Sequence, residues 1–306
     1  MNILLVFPPH WLPAMPHLAL PTLTASLRAA GVGVIQRDLN LEVFDAVLTP
    51  AYLEEVNDRL AAAPPPGLPS AALRDAADHG ADVAHRVEAA KAVMRDARFY
   101  DGRTSVQAFL ALVQGLELAS LPFHPAQFQF TAYTPPGPVD SSRNLLQLAA
   151  DQARNPFSEL FQKGIVQDIL RDAPDIVGIS IPTMDQMLAG VTLAYLIKQA
   201  GSPAHVTVGG PHVSMLREQL VKTPALFDLF DSAVVFGGEG PLLRLAESLD
   251  GDRDLSKVPN LIYRDRGKVR STAIQPMSGP DLTPDFDGLP LDRYLTPTPV
   301  LPLLSS

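Results

Sequence analysis

The fold is decided by the stretch Asp175-Ile176-Val177-Gly178-Ile179-Ser180, a short and almost continuous apolar run that ends in a serine. Such a run predicts a strand that is buried on both faces, as strands of parallel sheets are. Similar short apolar runs occur at 3–7, 32–39, 205–208 and 232–236, and stretches with helical spacing of apolar residues lie between them. Five buried strands that alternate with amphipathic helices predict a parallel sheet with helices on both faces.

The sequence therefore predicts an α/β fold, a flavodoxin-like (Rossmann-like), doubly wound sheet of five parallel strands within residues 1–250. An Ala-rich stretch at about 41–154, with Leu and Val at helical spacings, interrupts this pattern, and we interpret it as a large helical insertion. Residues 251–306 form a second segment. Two apolar runs at 261–264 and 268–270 flank Asp265-Arg266-Gly267, which predicts a β-hairpin, and a Pro-rich linker follows.

Charge and cysteine content exclude several classes of function. The 306 residues carry a formal net charge of −9, which argues against a nucleic-acid partner, because phosphate binding needs a surplus of Lys and Arg. The chain contains no cysteine, so it forms no disulfide, no thiolate zinc site and no iron–sulfur cluster held by Cys thiolates.

No membrane segment is predicted. The N-terminus lacks a basic region, and its apolar run is too short for a signal peptide. The richest later apolar stretch, 106–123, is interrupted by Gln107, Gln114, Glu117 and Pro122. We therefore expect a cytoplasmic protein without a membrane span.

The candidate site lies in the loops that follow the strands, because ligands of doubly wound sheets bind at the carboxyl ends of the strands. These loops are Ser180-Ile181-Pro182-Thr183, Gly209-Gly210-Pro211-His212 and Gly237-Gly238-Glu239-Gly240. Glycine at a strand end lets the backbone approach a ligand closely, which favours a large ligand lying across the sheet edge. The alternative is that the glycines serve only the tight turns between strand and helix.

The loop after the first strand excludes several familiar sites. Residues 8–17 contain no glycine, so the dinucleotide-binding and P-loop motifs are absent. Pro8 and Pro9 stand where a phosphoacceptor domain has paired acids, and no nucleophile motif G-x-S-x-G surrounds Ser180. We predict no catalytic residue and no metal ligand in this chain.

Taken together, these motifs resemble the N-terminal domain of cobalamin-dependent radical S-adenosylmethionine (SAM) enzymes. The likeness is carried by Phe7-Pro8-Pro9, Leu27-Arg28-Ala29-Ala30-Gly31, Val177-Gly178-Ile179-Ser180, Gly209-Gly210-Pro211-His212 and Phe236-Gly237-Gly238-Glu239-Gly240. The tail, with Pro284-Asp285-Phe286 and Leu289-Pro290-Leu291-Asp292-Arg293-Tyr294, resembles the family's bridge into its barrel domain. In this family three closely spaced cysteines follow a segment like 300–306, so we expect the chain to stop before the barrel that holds the [4Fe-4S] cluster and SAM.

The resemblance implies cobalamin as the ligand and assigns roles to the loop residues. Ser180 and Thr183 are expected to face the dimethylbenzimidazole tail or the corrin amides. Gly209, Gly210 and Pro211 would let the tail pass close to the fourth strand. The segment Gly237-Gly238-Glu239-Gly240 would line the other side of the tail, with Glu239 bonding a ribose or an amide. The loop from His10 to His17, which contains Trp11 and follows Pro9, would lie beneath the corrin.

One departure from related domains bears on the mode of binding. Cobalamin domains that ligate cobalt with histidine carry D-x-H-x-x-G after the first strand, and this motif is absent here. We therefore expect base-off cobalamin without a His ligand, which favours methyl transfer. Two alternatives remain open, namely His10 as a ligand and Trp11 as a cap on the lower face of the corrin.

The hypothesis from the sequence is a cobalamin-binding domain of a radical SAM enzyme, a methyltransferase acting on a natural product or peptide. The barrel domain would be a partner in cis or in trans, and the chain alone would bind cobalamin without catalysing a reaction, because it has no cysteine for the cluster. The alternatives are a stand-alone corrinoid carrier or sensor, and a flavodoxin-like module for another nucleotide cofactor.

Overall fold

The computed structural model of the protein describes residues 1–276 and 282–297. Its strands in chain order are β1 (Asn2–Phe7), β2 (Gly33–Asp38), β3 (Gln127–Phe128), β4 (Tyr133–Thr134), β5 (Ile176–Ser180), β6 (His205–Gly209), β7 (Ser232–Val234), β8 (Leu261–Asp265) and β9 (Lys268–Ser271). Seven of these form one sheet in the order β2-β1-β5-β6-β7-β8-β9, and β3 and β4 pair separately.

The first five strands of the large sheet run parallel. Numbered among themselves along the chain they have the order 2-1-3-4-5, which is the flavodoxin-like arrangement. The predicted doubly wound, five-stranded parallel sheet is therefore confirmed. Ser180 at the end of β5 is in register with Gly209 at the end of β6, so the loops after these strands begin at the same edge.

Helices cover both faces of this sheet. In chain order the helices are α1 (Ala19–Ala29), α2 (Leu39–Val47), α3 (Pro50–Ala62), α4 (Ser70–Arg95), α5 (Gly102–Ser120), α6 (Ser142–Ala150), α7 (Pro156–Leu160), α8 (Val166–Asp172), α9 (Met187–Gln199), α10 (Pro211–Met215), α11 (Arg217–Val221) and α12 (Glu239–Asp250). Successive strand residues point to opposite faces, so Leu5 packs with α1 and α12 while Leu4 and Val6 pack with α9 and the insertion.

The insertion between β2 and α7 is mostly helical, as predicted. Three of its helices begin at capping side chains: Asp38, Thr49 and Asp101 accept hydrogen bonds from the first turns of α2, α3 and α5. The short antiparallel pair β3–β4 also lies within the insertion and was not predicted. Two-residue strands are too short to produce a periodic sequence pattern.

The predicted hairpin is present as β8 and β9, and its turn has positive φ angles of 48° at Arg266 and 79° at Gly267. The sequence did not indicate that β8 pairs antiparallel with β7 and so extends the large sheet. Residues 282–297 then pass the edge strand β2, where the Gln36 side chain donates to the carbonyls of Asp285 and Asp287, both at 2.9 Å. The segment 300–306 lies outside the described residues, and the domain boundary at 250 stays a prediction.

One stretch, Gly102–Phe123, which contains α5, has the length and apolar composition of a membrane-crossing helix, although 56% of its apolar window is buried inside the protein. Leu112 and Leu116 are among the buried side chains of α5, whereas Val106 and Leu110 on the same helix are exposed. The absence of a membrane span therefore stays a prediction.

Candidate functional site

A groove of about 330 Å³ opens at the carboxyl edge of the parallel sheet and extends between the sheet and the helices α1 and α12. Its volume lies at the lower end of the range of small-molecule sites, about 300–1,000 Å³. The strands contribute Leu5, Gly178, Ile179, Ser180, Thr207, Val208, Gly209 and Val234, and the loops and helices contribute His17, Leu18, Ala19, Leu20, Thr22, Leu23, Gly210, Pro211, Phe236, Gly237, Gly238, Glu239 and Leu242. The walls are therefore mainly apolar, with a few polar groups.

A larger cavity of about 860 Å³ lies in the insertion, between α4, α5 and the β3–β4 hairpin. Its rim carries exposed charged side chains of α4, among them Asp75, Asp82 and Arg86, and Arg86 pairs with Asp82 at 2.9 Å. No strand end of the parallel sheet reaches this cavity. The groove at the sheet edge is the better candidate site because the topology brings several loops together there.

The backbone of Gly178, in the middle of β5, lines the floor of the groove, and the side chain of Leu5 packs closely across it. A Cβ atom at this position would lie 3.0 Å from Leu5 Cδ2 and 3.8 Å from Leu242 Cδ2. The neighbouring hydroxyl of Thr207 is already bonded: it donates to the Ser232 carbonyl at 3.3 Å and accepts from Ser232 Oγ at 2.9 Å. The floor therefore presents an apolar surface suited to a flat, apolar group.

The loop positions require glycine for different structural reasons. Gly210 has φ +106°, and a Cβ there would lie 2.8 Å from the Ile181 carbonyl oxygen, so the turn after β6 itself requires glycine. A Cβ at Gly209 would lie 3.3 Å from the Val234 carbonyl oxygen. At Gly238 it would lie 3.0 Å from Leu23 Cδ2, where the loop after β7 approaches α1. Close packing of the strand-end loops thus accounts for these glycines, and Gly178 likewise lets Leu5 pack against β5.

Phe236 stands at the mouth of the groove in a strained conformation. Its φ is +65°, which is unfavourable for a bulky side chain, and its ring is 47% exposed. The Phe236 N–H donates to Ser214 Oγ at 2.8 Å, and the Arg217 guanidinium lies 5.6 Å from the centre of the ring. Ser214 Oγ in turn donates to the Gly210 carbonyl at 2.9 Å, so the loops after β6 and β7 are joined at the mouth.

His10, the imidazole selected from the sequence, faces away from the groove. Its ring is 3% exposed and lies 4.8 Å from the ring of Phe44 and 6.0 Å from that of Phe128. His10 Nε2 is hydrogen-bonded to the Gln129 carbonyl. Burial lowers the pKa of His10 to about 4, although the bond to Gln129 acts in the opposite direction. His10 therefore belongs to the core under the insertion.

His17, at the other end of the same loop, lines the groove instead. Its ring is stacked on Phe7 with the ring centres 4.8 Å apart, and Trp11 contacts it at 5.8 Å with the rings nearly perpendicular. The sequence offered both imidazoles without a signal that distinguished them. His10 and His17 lie on different sides because distant segments fix the path of the loop.

Two polar side chains that the sequence did not single out as site residues hold this loop. Gln186 is fully buried and donates to the Pro8 carbonyl at 2.7 Å, and Asn40 accepts from the Trp11 N–H at 2.8 Å. The spacing of Thr183 and Gln186 resembles a capping box, but Thr183 caps no backbone N–H and its hydroxyl bonds the Gln186 side chain at 3.2 Å. Thr183 thus acts through Gln186 and lies outside the groove lining.

The groove brings together seven of the predicted site residues: Ser180, Gly209, Gly210, Pro211, Gly237, Gly238 and Glu239. The others, Pro9, His10, Trp11, Thr183 and Gly240, are not part of its lining, although Trp11 contacts His17. Ser180 is buried, and Glu239 is the half-buried first residue of α12. Within residues 1–276 and 282–297, no group of three or more His, Asp or Glu side chains is arranged to hold a metal ion.

No protein-family model matches the chain. Over 134 residues, which are 42% of the chain, it is 34% identical to the uncharacterized methyltransferase PH0819 of Pyrococcus horikoshii, and it covers 28% of that protein. The chain is thus similar to part of a protein named as a methyltransferase.

Two solved structures of TsrM, a radical SAM methyltransferase from Kitasatospora setae, are also similar. One holds tryptophan and a SAM analogue; it has a TM-score of 0.40 and 13% identity, over 89% of this chain and 30% of TsrM. The other holds cobalamin and a [4Fe-4S] cluster; it has a TM-score of 0.40 and 14% identity, over 92% of this chain and 31% of TsrM. The chain spans less than a third of the length of each protein that it matches.

Proposed function

We propose that this chain binds cobalamin, with the nucleotide arm of the cofactor in the groove and the corrin at the carboxyl edge of the sheet. The observation that carries the proposal is the groove itself, which enters the sheet–helix layer over the backbone of Gly178. Its apolar walls suit a flat aromatic base, and Ser180, Glu239 and His17 supply polar groups along it. A site of this kind, apolar with few convergent polar groups, is typical of cofactor binding.

We further propose that the chain is the cobalamin-binding part of a radical SAM methyltransferase that acts on a natural product or a modified peptide. The names of the similar proteins support methyl transfer, and the TsrM structure with cobalamin and a cluster is consistent with this cofactor set. The cluster and SAM would be held by a barrel domain in cis or in trans, because the chain has no cysteine.

Bound cobalamin would supply a methyl group for transfer. The residues of this chain would bind and orient it. Leu5, Leu242 and the backbone of Gly178 would contact the aromatic base, and Phe236 at the mouth would cover the entrance beside the corrin. Excluding water from the base is the role that the apolar walls can perform directly.

The test is retention of cobalamin by the purified protein after mixing with hydroxocobalamin and desalting. We expect about one corrin per chain by absorbance. Trp11, the single tryptophan, contacts His17 at the groove, so its fluorescence should be quenched on binding. A thermal-shift panel with cobalamin, FMN and a nucleotide sugar tests which of these ligands binds. Only a ligand that binds the folded state raises the midpoint temperature of unfolding.

Gly178→Leu is the decisive variant, because its side chain would crowd Leu5 and Leu242 on the floor of the groove. We expect it to abolish retention, and Gly178→Ala to weaken it. Gly102→Leu is the matched control: a Cβ at Gly102 meets no atom within 4 Å, far from the groove, so retention should be unchanged. Circular dichroism verifies that each variant is folded. A wild-type protein that retains no corrin, or that FMN stabilises instead, would refute the proposal.

A further inference from the structure

His17 is the imidazole that the structure brings to the groove, and its ring is held from two sides. Phe7 stacks on one face with an interplanar angle of 17°, and the edge of Trp11 approaches at 86°. Such packing fixes the orientation of the ring, so the direction of its free nitrogen is set before any ligand arrives. His17 is therefore a fixed polar group in an otherwise apolar wall.

The other ring nitrogen is already engaged. His17 Nδ1 accepts a hydrogen bond from the backbone N–H of Ala19, the first residue of α1, at 3.2 Å. Accepting this bond requires a lone pair on Nδ1. In a neutral imidazole the proton must then be on Nε2, which makes Nε2–H a donor. Burial also lowers the pKa of His17 from its ordinary value, so the neutral ring is the form present at neutral pH.

We propose that His17 donates a hydrogen bond through Nε2–H to an oxygen of the ligand in the groove, and that it does not coordinate a metal. The proposal deepens the proposed function and rests on it, because the oxygen would belong to a carboxamide, ribose or phosphate group of cobalamin. Coordination would need a lone pair on Nε2. The proton would then sit on Nδ1, where it would face the N–H of Ala19 and lose that hydrogen bond.

The second imidazole of the loop supports the same conclusion. His10 Nε2 is bonded to the Gln129 carbonyl, an acceptor, and its ring is enclosed by Phe44 and Phe128. Neither Nε2 of the two first-loop histidines therefore offers a lone pair to the groove. A chain that binds cobalamin here would do so without cobalt coordination by either imidazole of this loop.

The first measurement needs no cofactor. In protein labelled with 15N-histidine, long-range 1H–15N NMR spectra distinguish the two neutral tautomers of each imidazole, and His17→Gln identifies the signals of His17. At pH 7.5 we expect the pattern of the Nε2–H tautomer. The Nδ1–H pattern for His17 would overturn the proposal whether or not the protein binds cobalamin.

The second measurement uses the protein loaded with cobalamin. Loss of one hydrogen bond to a buried acceptor predicts about tenfold weaker binding for His17→Phe, which keeps the aromatic packing on Phe7 and lacks the donor. His17→Gln keeps an N–H donor and should bind more tightly than His17→Phe. His79→Gln, an exposed position on α4, is the matched control and should bind as the wild type does. Equal affinity of His17→Phe and wild type would overturn the proposal.

Electron paramagnetic resonance of the bound cob(II)alamin form separates a donor from a metal ligand. A coordinated imidazole nitrogen splits the cobalt lines into triplets. We expect no such splitting in the wild type and the same line shape in His17→Gln. Triplets that disappear in His17→Gln would show coordination and overturn the proposal. A wild-type protein that retains no corrin would instead refute the proposed function, and the tautomer measurement would still decide the state of His17.

Discussion

Replacing Tyr294 by Phe removes a single hydroxyl from the connection between residues 282–297 and the sheet. Tyr294 is fully buried, and its hydroxyl donates to Asp38 Oδ2 at 2.6 Å. The other oxygen, Asp38 Oδ1, accepts from the Leu41 N–H at 3.0 Å and so caps α2. One buried carboxylate therefore joins the end of β2, the start of α2 and the C-terminal segment.

The free energy of unfolding that Tyr294→Phe is expected to lose depends on pH, because it depends on the charge of Asp38. Burial raises the pKa of Asp38 from 3.8 to about 6, although the hydrogen bonds from Tyr294 and Leu41 act to lower it. A pKa raised in the folded state means that the free energy of unfolding falls as pH rises from about 4 to about 6. At pH 8 the carboxylate is ionised, and the Tyr294 bond to it contributes about 1.5–3 kcal/mol. At pH 5 the group is mainly neutral, and the bond contributes about 0.5–1.5 kcal/mol.

Urea denaturation of wild type and Tyr294→Phe at pH 5 and pH 8 measures the contribution of the Tyr294 hydrogen bond at each pH. The variant should lose more stability at pH 8, and its own fall of stability with pH should extend to higher pH, because removing the donor raises the pKa of Asp38 further. Tyr133→Phe is the matched control. The Tyr133 hydroxyl is equally buried but has no hydrogen-bond partner among the described residues, so its removal should leave stability unchanged or raise it at both pH values.

An equal loss at pH 5 and pH 8 would show that ionised Asp38 is not what Tyr294 stabilises. A double-mutant cycle with Asp38→Asn gives the same test in another form, since the coupling energy between positions 38 and 294 should be larger at pH 8. A loss in Tyr133→Phe as large as that in Tyr294→Phe would mean that packing, not the hydrogen bond, is responsible. Either result would refute the reasoning.

Two further predictions concern the loops around the groove, both measured by urea denaturation. Gln186→Met keeps the shape of the side chain and leaves the Pro8 carbonyl buried without its 2.7 Å donor, so it should cost about 1–3 kcal/mol; an unchanged midpoint would contradict the role given to Gln186. Gly210→Ala should lower the free energy of unfolding by about 2–4 kcal/mol, because φ is +106° and the new Cβ meets the Ile181 carbonyl. The control Gly201→Ala, with φ +72° and open space around the new Cβ, should lower it by about 1–2 kcal/mol. Equal losses at the two glycines would argue that the close contact is unimportant.

The parallel sheet was predictable because β1, β5, β6 and β7 are mainly buried, so each appears in the sequence as a short apolar run. The edge strand β2 is partly exposed. The site loops followed from topology alone, since parallel strands present their carboxyl ends at one edge. Ser180 and the Gly209–Gly210 pair were found in this way. Gly178 lies inside β5, and nothing in the sequence marked this glycine as the floor of a groove.

The errors arose where a distant contact overrides a local pattern. The spacing of Thr183 and Gln186 fits a capping box, yet the Gln186 side chain bonds the Pro8 carbonyl, 178 residues away in sequence. The sequence placed two imidazoles in the first loop and gave no signal for the direction of His10. Its direction is decided instead by the hairpin that carries Gln129, whose two-residue strands no sequence pattern indicates.

The loop after β1 has no glycine and no regular structure, yet it is fixed at several backbone positions by other segments. The hydrogen bonds are Gln186 Nε2 to the Pro8 carbonyl, the Trp11 N–H to Asn40 Oδ1, the Leu295 N–H to the Pro13 carbonyl and Thr296 Oγ1 to the Ala14 carbonyl. The last two come from the segment that Tyr294 joins to β2. A loop restrained in this way presents His17 in one orientation before binding, so little ordering entropy opposes the ligand. Tyr294→Phe should consequently weaken cobalamin retention as well as stability, and Tyr133→Phe should not; if retention is unchanged in a destabilised but folded Tyr294→Phe protein, the C-terminal segment does not hold the groove.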